Sequence, residues 1–132
     1  MPPISASATG DDRALLEAAF DLITVQEDAL TDRLLAWLSA RNDCRVIGGS
    51  VNRDSTRVPT IAFKFDGIDS GAVARAMDDH GIAMRFGDFH SRRLVEHLGE
   101  DQNGGVLRVS MVHYNTLDQV DRLTDALARI VA

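Results

Sequence analysis

Residues 106–119 read Val106-Leu107-Arg108-Val109-Ser110-Met111-Val112-His113-Tyr114-Asn115-Thr116-Leu117-Asp118-Gln119, and this stretch decides the fold. Its first half alternates. Leu107, Val109 and Met111 fall on one face and Arg108 and Ser110 on the other, which is the period of a half-buried strand. Thr116-Leu117-Asp118-Gln119 then has capping-box spacing, so a helix opens there, with Val120, Leu123, Leu127 and Ile130 along one stripe. A strand with one apolar face that runs straight into an amphipathic helix folds the helix back onto that face. The expectation is that a helix over 117–131 packs on Leu107, Val109 and Met111.

Working outward, Pro59 to Phe65 alternates in the same way. Ile61, Phe63 and Phe65 lie on one face and Thr60, Ala62 and Lys64 on the other. Ile82–Phe86 is a third strand candidate, and Cys44–Ile47 reads as a short strand before Gly48-Gly49. The three strands over 60–65, 82–86 and 106–112 are expected to share one sheet. Asp69 or Ser70 caps a helix running to about His80 and closed by Gly81, and a short helix spans about Ser91 to Leu98. Residues 50–58 are polar and turn-rich, and 99–105 form a loop.

From Asp11 to about Ala40, Leu16, Phe20, Ile23, Leu30, Leu34 and Trp37 recur at helical spacing, with Glu27 filling a gap in the stripe. About 30 residues is long for a helix in so small a domain, which points to more than one packing partner. Glu27 is expected at the stripe's edge, paired to an arginine. The order is α-β-β-α-β-α-β-α, an α+β domain of about four strands with helices packed on them. Residues 1–10 read as a linker and 11–132 as the domain, with 11–40 its long helix.

Composition narrows the function classes. The chain has 132 residues, enough for one core without a disulfide or metal. Its net charge of −6 and scattered arginines argue against a nucleic-acid surface, which needs a clustered positive face. Cys44 is the single cysteine, so no intrachain disulfide is available. No apolar run approaches the roughly 20 residues of a membrane span, and the N-terminus lacks the features of a signal peptide. The expectation is a cytoplasmic, soluble domain.

Three features carry candidate chemistry. In the first, Arg85, Asp88 and His90 fall within six residues around Gly87, where a strand runs into a turn. A surface turn with incidental polar groups fits the same letters. In the second, Arg108 lies mid-strand opposite an apolar face. Such a guanidinium either stays solvated or meets an anion, and its planar fork matches a carboxylate. The third is His113-Tyr114-Asn115-Thr116, where Asn115 and Thr116 are explained as turn and cap residues. The four histidines lack a metal-ligand spacing, Cys44 sits in an apolar strand, and neither glycine pair forms a phosphate motif.

Taken together, four segments resemble one family. They are Arg57-Val58-Pro59-Thr60-Ile61-Ala62-Phe63, Gly81-Ile82-Ala83-Met84-Arg85-Phe86-Gly87, Leu107-Arg108-Val109-Ser110, and Tyr114-Asn115-Thr116 through Asp121-Arg122-Leu123. In order and spacing they are similar to the C-terminal small domain of class V aminotransferases. Within that group they resemble cysteine desulfurase-like proteins, some of them isopenicillin N epimerase-like. The resemblance runs from about Arg13 to Ile130, and the first helix, with Glu27, resembles the family's linker helix. It implies the small-domain fold of fold-type I pyridoxal-phosphate (PLP) enzymes. In those enzymes a large domain holds the cofactor and its Schiff-base lysine, and the small domain closes over an amino-acid substrate. A homodimer is implied for the intact enzyme. Arg108 matches the arginine that receives the substrate α-carboxylate, and Arg85 matches a second arginine near the mouth of the site.

Two departures bear on subtype. Where desulfurases carry the persulfide-forming cysteine this chain has His90, so desulfurase chemistry by the family route is not expected. The only lysine, Lys64, lies where the family has no cofactor lysine. No cofactor is therefore expected on this chain alone, and the missing large domain must come from the same or a partner chain. A free-standing carboxylate-binding module and a protein-interaction module are the alternatives.

Overall fold

The computed structural model describes residues 12–49 and 57–132. The linker reading of 1–10 and most of the turn-rich segment 50–58 lie outside the described residues. The elements are α1 (Asp12–Ser39), β1 (Cys44–Ile47), β2 (Thr60–Phe65), α2 (Ser70–Asp78), β3 (Arg85–Gly87), α3 (Arg92–His97), β4 (Val106–Ser110) and α4 (Leu117–Ile130). Their order is the one read from the sequence. The strands form one antiparallel sheet in the order β1-β2-β4-β3.

One face of the sheet builds the core. Ile61, Phe63 and Phe65 of β2 and Leu107 and Val109 of β4, with Met111 just beyond, pack against three helices. Leu30, Leu34 and Leu38 come from α1, Val73 and Met77 from α2, and Val120, Leu123 and Leu127 from α4. Phe63 and Phe65 meet edge-to-face at 5.7 Å, the geometry favoured by ring quadrupoles. The predicted helix on the Leu107, Val109 and Met111 face is therefore present. Its start is fixed by the full capping box, in which Thr116 and Gln119 satisfy each other's backbone N–H. At α2, the Asp69 carboxylate accepts the Ala72 N–H at 2.7 Å.

Two expectations are corrected. The third strand is Arg85–Gly87, not Ile82–Phe86. The Gly81 N–H donates to Asp78 O at 2.9 Å and the Ile82 N–H to Met77 O at 3.1 Å. These amides close α2, with Gly81 at φ +67°, so the chain reaches the ladder only at Arg85. Glu27 is half-buried but has no arginine partner among the described residues, and the nearby Arg33 instead forms a forked pair with Asp121 of α4 at 2.7 and 3.0 Å.

The long helix is covered over only part of its length. Its buried residues begin at Leu30, while Leu15, Leu16, Phe20, Leu22 and Val25 are all more than half exposed. One crossing constrains the loop that leads into β4. A Cβ on Gly105, at φ +77°, would lie 2.6 Å from the Gly87 carbonyl oxygen, so the backbones of β3 and the 99–105 loop approach closely only because residue 105 has no side chain.

Candidate functional site

The second face of the sheet carries the polar alternates. With Leu107 in the core, Arg108 projects to the other side. Its register partner on β3 is Arg85, and its partner on β2 is the small Ala62. Directly opposed side chains of an antiparallel pair have Cβ atoms about 4.5–5.5 Å apart, so the two arginines are neighbours. Neither has an ion-pair partner among the described residues. Arg108 is half-buried, and its Nε is buried with no hydrogen-bond partner. A buried unpaired donor costs about 1–3 kcal/mol. A carboxylate would satisfy it in the plane of the fork.

The turn after β3 brings a third group to this place. The Phe89 ring centroid lies 4.3 Å from the guanidinium carbon of Arg108. Phe89 and His90 are both left-handed, at φ 52° and 63°, a conformation costing non-glycine residues on the order of 1 kcal/mol each. Asp88 holds the turn, its carboxylate accepting the His90 N–H at 3.0 Å and its carbonyl the Ser91 N–H at 2.8 Å. His90 is exposed at the rim. The structure thus brings Arg85, Arg108 and the His90 turn together. In the third feature Asn115 and Thr116 take the turn and cap roles expected of them: Asn115 Oδ1 accepts the Val112 N–H at 2.9 Å, its carbonyl accepts Gln26 Nε2 at 2.8 Å, and Thr116 caps α4. Tyr114 is exposed, edge-on to His113 at 5.5 Å.

A second polar row crosses β1 and β2. Arg45 and Lys64 are register partners, and both reach Glu100, whose side chain is only 3% exposed. Arg45 pairs with one carboxylate oxygen, while the Lys64 ammonium lies 3.9 Å from the other. The Lys64 ammonium also donates to the carbonyl of Glu100 at 3.0 Å and to that of Gln102. Glu100 and Phe89 are the two residues whose roles the sequence reading missed. Both lie in loops, where no periodicity reports facing.

These residues do not fit a cofactor that forms a covalent bond to lysine. The chain's one lysine is 7% exposed, and its ammonium donates to the carbonyls of Glu100 and Gln102 and faces the Glu100 carboxylate. Cys44 is no better as a nucleophile, because burial, reinforced by the Asp43 carboxylate, pushes its thiol up to about 12. A cavity of about 220 Å³ between Ile82, Ser110, Asn115, Gln119 and Arg122 lies at the far end of β4 and includes neither Arg85 nor Arg108. No described helix is long and apolar enough to cross a membrane.

Comparison with known proteins assigns the chain to a family. Residues 10–123 match the model of the aminotransferase class-V family. An aminotransferase-like protein of Gibberella zeae is 35% identical over 113 residues, which is 85% of this chain and 28% of that protein. A probable cysteine desulfurase of Pseudomonas putida is 32% identical over 130 residues, 96% of this chain and 30% of that protein. The crystal structure of the cysteine desulfurase CsdA from Escherichia coli superposes with a TM-score of 0.68 at 27% identity, covering 82% of this chain and 25% of that one. The chain therefore spans less than a third of the length of these relatives. With the family's sequence pattern over most of its length and the fold of its desulfurase members, the chain belongs to the pyridoxal-phosphate-dependent aminotransferase class-V family.

Proposed function

We propose that this is the small, substrate-closing domain of a pyridoxal-phosphate enzyme, and that Arg108 holds the α-carboxylate of its amino-acid substrate. The observation that carries this reading is a half-buried arginine with an unpaired buried donor, set beside a second arginine, neither with an ion-pair partner among the described residues. Two adjacent cations on one sheet face lack a counter-charge, and a substrate carboxylate supplies it. Arg85, exposed at the edge strand, adds attraction at the mouth. On this reading residues 11–132 are the small domain. The cofactor, its lysine and the phosphate cradle belong to a larger domain in the same or a partner chain. The bound cofactor would supply the electron sink for chemistry at the substrate α-carbon. This chain's residues bind and orient, so alone it is inactive. Since His90 offers no thiol, persulfide formation at that position is not part of the proposal.

The test is a pair of substitutions in the enzyme assembled with its cofactor-binding domain. A charge-assisted pair in a water-poor cleft contributes about 2–4 kcal/mol, and lysine cannot reproduce the fork. Arg108→Lys should lower kcat/KM for the amino-acid substrate by about 30- to 1000-fold while the bound-cofactor spectrum is unchanged. Arg85→Lys should cost less. A kinetically silent Arg108→Lys, or a more damaging Arg85→Lys, assigns the anchor wrongly.

A further inference from the structure

We infer that Phe89 is the positioning residue for Arg108: the guanidinium carbon lies over the Phe89 ring, 4.3 Å from its centroid, and the ring would take one face of the guanidinium and leave its N–H edge to a carboxylate. This rests on the carboxylate reading above and adds to it the group that sets the arginine's orientation. Of the four arginine–ring contacts in the described residues, the one between Arg108 and Phe89 is the tightest, at 4.3 Å against 5.0, 5.4 and 6.0 Å. The ring is half-buried, but it is not part of the main hydrophobic cluster. Core packing therefore does not account for its placement.

The backbone is held in an unfavourable shape to put it there. Phe89 and His90 adopt consecutive left-handed conformations, fixed by Asp88 from one side and by the start of α3 from the other. Arg85 makes the positioning necessary. Its like charge sits directly across the ladder and pushes the Arg108 guanidinium away. A ring on the π-face attracts the cation without occupying its N–H edge. Stacking and carboxylate binding therefore use different sides of the same group, and they do not compete. The ring also removes water from that face, which strengthens any hydrogen bond made at the edge.

The experiment reads the Arg108 side chain directly, in the full 132-residue chain, by proton–nitrogen NMR of arginine Nε–H groups. Arg108→Lys assigns the signal. Sodium acetate is the probe, with sodium chloride at matched ionic strength as the control. In wild type the Arg108 Nε–H should be shifted upfield by the ring and should move on adding acetate but not chloride. Phe89→Leu should abolish the upfield shift and weaken acetate binding about two- to fivefold, the range of an exposed cation–π contact. Phe89→Tyr should restore both, and unchanged backbone amide signals in both variants exclude misfolding as the cause. If wild type and Phe89→Leu respond to acetate equally, Phe89 has no positioning role. If the wild-type Arg108 signal ignores acetate altogether, the carboxylate reading itself falls, a result distinguishable from the first.

Discussion

Arg85 and Arg108 face each other across the β3–β4 ladder, two cations in register, neither with an ion-pair partner among the described residues. Opposed like charges in a sheet destabilise by roughly 0.2–1 kcal/mol, and a fold keeps such a pair at a cost to itself. Without a bound anion, Arg85→Gln should therefore stabilise the domain by about 0.5 kcal/mol at low salt. The gain should shrink as ionic strength approaches about 0.5 M, because screening relieves the repulsion in the wild type. Urea unfolding at the two salt concentrations measures both effects. A loss of stability in Arg85→Gln would mean that the arginine has a favourable partner.

Glu100 makes the opposite arrangement, one nearly buried carboxylate serving Arg45 and Lys64. Removing it leaves the Lys64 ammonium buried against carbonyls alone. Breaking a fully buried pair costs about 3–5 kcal/mol, but here Arg45 is largely open to water and Lys64 stands 3.9 Å away. Glu100→Ala should thus cost about 2–3 kcal/mol. Adding Lys64→Met should recover part of that loss, because the stranded charge is then gone. The same burial predicts that the folded chain mixed with pyridoxal phosphate develops no stable, stoichiometric visible absorbance band that Lys64→Ala removes.

The contrast between these two clusters shows what the sequence could report. Periods within α1, β2, β4 and α4, with turn and cap residues between the other elements, made the order α-β-β-α-β-α-β-α, the Thr116 cap and the inward set Leu107, Val109 and Met111 readable. Ile82-Ala83-Met84 misled because an apolar run without alternation has no built-in boundary, and the closing bonds of α2 claimed its first amide. The pairing of Arg85 with Arg108 depends on register between strands about 20 residues apart in sequence, which alternation within one strand does not encode. Glu100 and Phe89 were illegible for a stronger reason. Their partners are Arg45, Lys64 and Arg108, and only the folded sheet brings those residues to the loops.

Cys44 gives the fold a dependence on alkaline pH. Burial raises its thiol from the ordinary value near 9.0 to about 12. Between those values the unfolded chain loses the proton and the folded chain keeps it, so the unfolded state binds fewer protons and stability falls as pH rises. The contribution is complete below about pH 9 and is lost progressively toward about pH 12. Comparing wild type with Cys44→Ala by urea unfolding at about pH 8 and about pH 10.5 isolates it, and the variant should show the shallower decline. In the same samples iodoacetamide should label native Cys44 slowly and unfolded Cys44 fast. Equal labelling rates would contradict a half-buried, protonated thiol.

The N-terminal half of α1 provides the last test. Leu15, Leu16, Phe20, Leu22 and Val25 are between 59% and 74% exposed, whereas Leu30 and Leu34 are fully buried. At 100° per residue, Leu16 and Phe20 line one side of the helix and Leu15 and Leu22 another, so the apolar surface exceeds a single stripe. A helix apolar on more than one side fits between packing partners, and this half has none among the described elements. The proposed cofactor-binding domain is the natural cover. Leu16→Glu with Phe20→Glu should then change the stability of the isolated chain by less than about 0.5 kcal/mol, as for exposed surface substitutions. By comparison Leu34→Glu, which puts a charge into the core, should unfold it. Amide exchange should be fast before about residue 26 and protected from Leu30 onward. Assembly with the cofactor-binding domain should reverse the first pattern, protecting 12–26, and the double variant should weaken that assembly. If the double variant destabilises the isolated chain as much as Leu34→Glu does, this half of α1 already has a partner within the chain and needs no second domain.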